Sequence, residues 1–130
     1  MEKILGVIPA RFASTRFPGK PLVDILGKPM IHHVWDRAIQ SKSVKEWVVA
    51  TDNKEIFDAV NRFGGKSIMT SEDLSSGTDR CKEVLELLGN SYDFVVNVQG
   101  DEPLVEIEQI DSLARSIIDN PGADVATLVK

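Results

Sequence analysis

A single cysteine, Cys81, stands in the 130 residues, so no disulfide can form within the chain. One thiol fits a reducing compartment. Cys81 falls on the apolar face of an expected helix, where a thiol behaves as a small buried hydrophobe. No apolar stretch approaches membrane-spanning length. The first apolar run, Ile4 to Ile8, is too short for the core of a secretory signal, and the expected location is the cytoplasm. Positive charge is not in excess: 15 Lys and Arg stand against 20 Asp and Glu, a net charge of −5, which argues against a nucleic-acid-binding surface. No internal repeat and no low-complexity segment occurs. Two common phosphate motifs are missing as well. A Walker A loop would need Gly where Ser14 stands and Ser or Thr where Pro21 stands, and no G-x-G-x-x-G is present.

What remains is the composition of an ordinary soluble domain, 42% hydrophobic and 27% charged, of a size that buries a real core. The charge is unevenly placed. Residues 1–28 carry a net +3 and the remainder a net −8. A basic segment on an acidic body points to a small anionic ligand that is steered locally. The segment holds Arg11, Ser14, Thr15, Arg16, Gly19 and Lys20, just after the apolar strand Ile4–Ile8. Backbone N–H groups and fixed cations in such a loop can cradle phosphate oxygens. Arg supplies forked donors and Lys a mobile point charge, so the three cations are not redundant. Composition alone leaves open a surface loop whose charges merely solvate.

The apolar pattern alternates between strand and helix. Ile4–Ile8 reads as a strand buried on both faces and ended by Pro9. Pro18, Pro21 and Pro29 keep the next loop irregular, and Pro29 suits the start of a helix carrying Met30, Ile31, Val34, Trp35 and Ala38. Trp47–Ala50 is a second strand. Thr51-Asp52 can cap the next helix, with Glu55 three residues after Asp52 as in a capping box; Ile56, Val60 and Phe63 give that helix one apolar face, and Gly64 stops it. Lys66–Met69 is a third strand, and Cys81, Val84, Leu85 and Leu88 mark a third helix. Phe94–Val98 is a fourth strand. A helix on Ile107, Ile110, Leu113, Ala114 and Ile117 follows, and a fifth strand begins at Val125. The order predicts an α/β fold, Rossmann-like, with a mainly parallel sheet and helices on both faces. Ligands of such sheets bind beyond the carboxyl ends of the strands. The basic loop, Ser76–Arg80 and Gln99–Pro103 all fall at that edge.

Asp101 and Glu102 directly follow a buried strand. Carboxylates there, near a cationic loop, are natural Mg²⁺ ligands. They also suit a turn before Pro103. Thr78 reads as a helix N-cap, and a helix start bearing Gly77 and Arg80 can also bind an anion. His32 and His33 are adjacent on the first helix, point about 100° apart and do not share a metal easily.

Three segments in order carry a specific resemblance: Ile8 to Leu22, Ser76-Gly77-Thr78-Asp79-Arg80, and Val96 to Pro103. The chain resembles the sugar-acid cytidylyltransferases, and within them the 3-deoxy-manno-octulosonate (KDO) branch, from about Ile4 to Leu128. The resemblance implies a nucleotide-diphospho-sugar transferase-like fold. It implies transfer of CMP from CTP to KDO with release of pyrophosphate, for lipopolysaccharide synthesis. By residue, it implies Arg11, Lys20 and Asp101 as the catalytic set, with Asp101 as the Mg²⁺ ligand. It implies a nucleotide pocket built from Pro9, Ala10, Arg11, Ser14, Thr15, Arg16, Lys20, Ser76, Gly77, Arg80 and Gln99. Leu74 stands where family members often have His. CTP and KDO are the implied partners, with no nucleic acid, no membrane and a homodimer in the intact enzyme. Such enzymes are nearly twice this length, so residues 1–130 are expected to be the nucleotide-binding part, truncated on the carboxyl side. A sialic-acid cytidylyltransferase and a non-catalytic nucleotide-binding fragment are the alternative readings.

Overall fold

The computed structural model describes residues 4–11, 19–44, 46–70, 83–84, 86–88, 92, 94–98, 107–119 and 125–127. Its centre is a five-stranded sheet built from β1 (Ile4–Ala10), β4 (Glu46–Thr51), β5 (Ser67–Met69), β6 (Phe94–Asn97) and β7 (Val125–Thr127). The strand order is β5-β4-β1-β6-β7, and every pair is parallel. A small antiparallel hairpin, β2 (Asp24–Ile25) and β3 (Lys28–Pro29), precedes α1 (Met30–Ala38). Helix α2 (Lys54–Arg62) joins β4 to β5, and α3 (Ile107–Asp119) joins β6 to β7.

The expected α/β architecture is therefore present, with the sheet packed on both faces. On one face Ile8, Val49, Val96 and Val98 meet Ile31, Val34 and Ala38 of α1, Ile56 and Val60 of α2, and Ile110 and Ala114 of α3. On the other, Leu5, Val7, Val48, Ala50 and Val95 meet Val84, which lies in helical backbone between β5 and β6. Alternate strand residues thus supply both cores, as the non-alternating apolar runs require. Each fully buried Val, Leu or Ile contributes roughly 1.5–3 kcal/mol relative to exposure.

Several local expectations are corrected. Pro9 does not end β1, which continues to Ala10 beside Thr51 of β4. The Val7 carbonyl accepts from Val98 N–H, so Val7 faces β6, and Pro9, two residues on, faces the same way. The missing Pro9 N–H falls where the β1–β6 ladder stops, leaving the β1–β4 ladder intact. The cap of α2 is Asn53 rather than Asp52. Its Oδ1 accepts from Ile56 N–H at 3.1 Å, while Thr51 Oγ1 accepts from Asn53 N–H at 3.1 Å. The proline-rich stretch before α1 is not wholly irregular. It contains a 3₁₀ turn, Lys20–Leu22, and the β2–β3 hairpin. Leu85, Cys81 and the side chains of Leu113 and Ile117 lie outside the described residues.

One polar contact locks α3 to the loop after α1. Asp111 Oδ1 accepts from Ser41 Oγ–H at 2.6 Å and from Ser43 N–H at 3.1 Å, and Ser41 Oγ accepts from Val44 N–H at 3.2 Å. Burial pushes the Asp111 carboxyl up, but the hydrogen bonds from Ser41 and Ser43 outweigh it and hold the group below its ordinary value. A lowered carboxylate gives stability that is present above its unfolded value and is lost as pH falls through its folded value. Asp111→Asn should cost about 1–2 kcal/mol at neutral pH in urea titrations, and the two proteins should converge as pH drops below about 4. A difference that persists at low pH would rule out the carboxylate as its source.

Candidate nucleotide site

The strand order reverses about β1. The chain moves outward through β4 and β5, then returns to the other side of β1 for β6 and β7. The carboxyl ends of β1 and β6 therefore flank the switch point, where open α/β sheets bind ligands. Pro9 and Ala10 form the buried end of β1, and Arg11 is the first residue past it, exposed to solvent. Lys20 lies in the same connection and opens the 3₁₀ turn. Gly19 before it takes the left-handed conformation (φ 76°), which glycine adopts without a Cβ penalty. Leu22 N–H bonds Gly19 O at 2.9 Å and Val23 N–H bonds Lys20 O at 3.1 Å. Pro21 is buried and Leu22 packs against the core beneath α1 and α2, so the turn bearing Lys20 is anchored from below.

Ser14, Thr15, Arg16, Ser76, Gly77, Arg80, Gln99 and Asp101 lie outside the described residues. Asn97, at the end of β6, carries a further feature that no sequence argument assigned. It is 1% exposed, and its Oδ1 has no hydrogen-bond partner among the described residues. Its only sequence signal is a polar residue inside the apolar run Val95-Val96-Asn97-Val98.

Two clefts elsewhere are unsuited to a polyphosphate. One of about 420 Å³ lies between the 3₁₀ turn and α2, where Asp24, Glu55 and Asp58 outnumber Arg62. The other, about 460 Å³, is at the amino ends of β1, β4 and β5, beside Leu5, Glu46 and Ser67. Tyr92 Oη–H donates to Glu46 there, and that hydrogen bond, then burial and the Glu46 charge, raise the phenol above its ordinary value. Among the described residues, no group of three or more His, Cys, Asp or Glu side chains is placed to hold a metal. No described helix is long and apolar enough to cross a membrane.

The family model described as cytidylyltransferase matches residues 5–130. This chain belongs to the cytidylyltransferase family. The 3-deoxy-manno-octulosonate cytidylyltransferase of Syntrophus aciditrophicus is 50% identical over 130 residues, covering 99% of this chain and 52% of that protein. The Escherichia coli enzyme of the same name is 49% identical over 128 residues, covering 98% of this chain and 51% of that protein. Among solved structures, CMP:2-keto-3-deoxy-manno-octonic acid synthetase complexed with CTP superposes with a TM-score of 0.87 at 48% identity, over 92% of this chain and 49% of that one. The chain thus spans about half the length of the curated cytidylyltransferases it matches. The α/β fold expected from the strand and helix order is the fold of these cytidylyltransferases.

Proposed function

We propose that this chain is the nucleotide-binding half of a KDO cytidylyltransferase. The reading is supported most by its 48% identity, over 92% of its length, to the synthetase solved with CTP. The relatives described above carry the KDO name, which favours KDO over a sialic acid as the acceptor.

In this reading the anomeric hydroxyl of KDO attacks the α-phosphorus of CTP, forming the new P–O bond as the bond to pyrophosphate breaks. Negative charge builds on the phosphoryl oxygens and on the leaving group. Arg11 and Lys20, in one connection at the carboxyl end of β1, stabilise that charge, with Arg16 assisting. Pro9 and Ala10 form the wall of the pocket at the strand end. Ser14, Thr15, Ser76, Gly77, Arg80 and Gln99 complete the nucleotide contacts. No protein nucleophile is required, and positioning carries much of the rate.

A carboxylate beside phosphate oxygens is the donor chemistry that a hard cation takes. In the sequence Asp101 stands four residues beyond Asn97, the last residue of β6, and its carboxylate is the Mg²⁺ ligand of this reading. When bound, the metal supplies charge neutralisation at the phosphates. Cytoplasmic residence, a place in lipopolysaccharide synthesis and a homodimer of the intact enzyme belong to the same reading.

A thermal-shift panel of CTP, UTP, ATP and GTP, each with Mg²⁺, tests it. CTP at about 100 times its dissociation constant should stabilise the fold by roughly 2.7 kcal/mol, with smaller shifts for the other three. Equal shifts for all four, or a cooperative melt with no shift, would overturn the reading for this chain.

A further inference from the structure

Lys20 opens a single 3₁₀ turn, a unit too short to be stable alone, which Pro21 and Leu22 anchor to the core. The turn continues into the β2–β3 hairpin, which has two residues in each strand. A hairpin of that size is not stable alone. Its tip adds strain. Leu26 takes φ 54° and Gly27 φ 87°, and the Leu26 side chain is 94% exposed, so no burial offsets its left-handed backbone. Among the described residues, one backbone bond closes the hairpin and two side-chain contacts tie it to α1. Met30 N–H bonds Val23 O at 2.8 Å, which continues the β2–β3 ladder and closes the hairpin at its base. Lys28 Nζ pairs with Asp36 at 3.1 Å, with both side chains well exposed, so this pair is worth little. The other is His33, half-buried on α1, whose Nε2 lies 2.6 Å from the Ile25 carbonyl oxygen. Ile25 O can only accept, so Nε2 carries the proton.

We propose that His33 is a positioning residue for Lys20. By fixing the outer end of β2 to α1, it holds the hairpin closed and keeps the turn at Lys20 in register with the end of β1. His33 acts through the backbone of residues 20–25 and not on the phosphates. The role as phosphate support rests on the function proposed above, whereas the mechanical link does not.

Three measurements separate the two. Long-range ¹⁵N correlation spectra of the wild-type imidazole should show the Nε2–H tautomer at neutral pH; an Nδ1–H tautomer would overturn the proposal without any variant. In His33→Leu, amide exchange at Leu22, Val23 and Met30 should quicken by about tenfold relative to the sheet, and His33→Gln, which keeps a donor, should restore most of the protection. Unchanged exchange at those amides in His33→Leu would also overturn it. Finally, His33→Leu should weaken CTP binding by about tenfold while leaving cytidine binding unchanged, and its effect should largely vanish in a Lys20→Ala background. Additive losses would show that His33 does not act through Lys20. If wild-type protein binds no CTP, the functional reading fails, and the tautomer and exchange results still decide the role of His33.

Discussion

Replacing Gly6 by alanine should destabilise the protein by about 3 kcal/mol or more, the opposite of what Gly→Ala does at most strand positions. Gly6 sits mid-way along β1, opposite Trp47 of β4 and Val96 of β6. A Cβ at this position would press into the Trp47 indole far inside van der Waals contact, against Cε3, Cδ2 and Cζ3 of its six-membered ring. Neither side can give way. The indole is 4% exposed, and its Nε1–H donates to Val44 O at 3.1 Å. β1 is hydrogen-bonded to strands on both sides, so its backbone cannot retreat without breaking ladder bonds. Displacing the ring would add the cost of an unpaired buried donor, about 1–3 kcal/mol, to the overpacking. Urea denaturation reads the loss directly. A Trp47→Val partner should recover part of it, so that the double variant is more stable than additivity allows. Wild-type stability in Gly6→Ala would mean that the indole lies elsewhere.

The same pair marks what a sequence can and cannot reveal. Runs such as Val48-Val49-Ala50 and Val95-Val96 disclose buried strands because only a sheet packed on both faces tolerates them. The helical faces of α1 and α2 are equally plain. That Gly6 makes room for Trp47 depends on the register of two strands about forty residues apart, which no local pattern encodes. The hairpin before α1 is hidden for a different reason. Its turn is Leu26-Gly27, without the Asn or Asp that ordinarily announces such a turn. Asp52 and Asn53 are both good caps, and the choice between them follows from Thr51 remaining in β4. At the site, Arg11 and Lys20 were legible as cations after a buried strand. The burial of Asn97 and the His33–Ile25 bond were not, because burial and a contact eight residues apart belong to the folded chain.

Lys20→Ala should weaken CTP binding by about 10- to 150-fold, the equivalent of one charge-assisted hydrogen bond of about 1.5–3 kcal/mol. The loss should be confined to the phosphates, so that cytidine binds variant and wild type alike. Salt should weaken CTP binding less steeply in the variant, since one cation has left the screened pair. Folding should change by less than about 1 kcal/mol, because Lys20 is only half-buried while Pro21 and Leu22 supply the turn's anchorage. Titration calorimetry with CTP, CMP and cytidine, beside urea melts of the unliganded proteins, separates these quantities. Equal losses for CTP and cytidine would place Lys20 in the base pocket or in the fold itself. Unchanged CTP affinity would remove it from the site. In the whole enzyme the same substitution should depress turnover beyond its effect on nucleotide binding, because the charge that Lys20 faces grows as pyrophosphate departs.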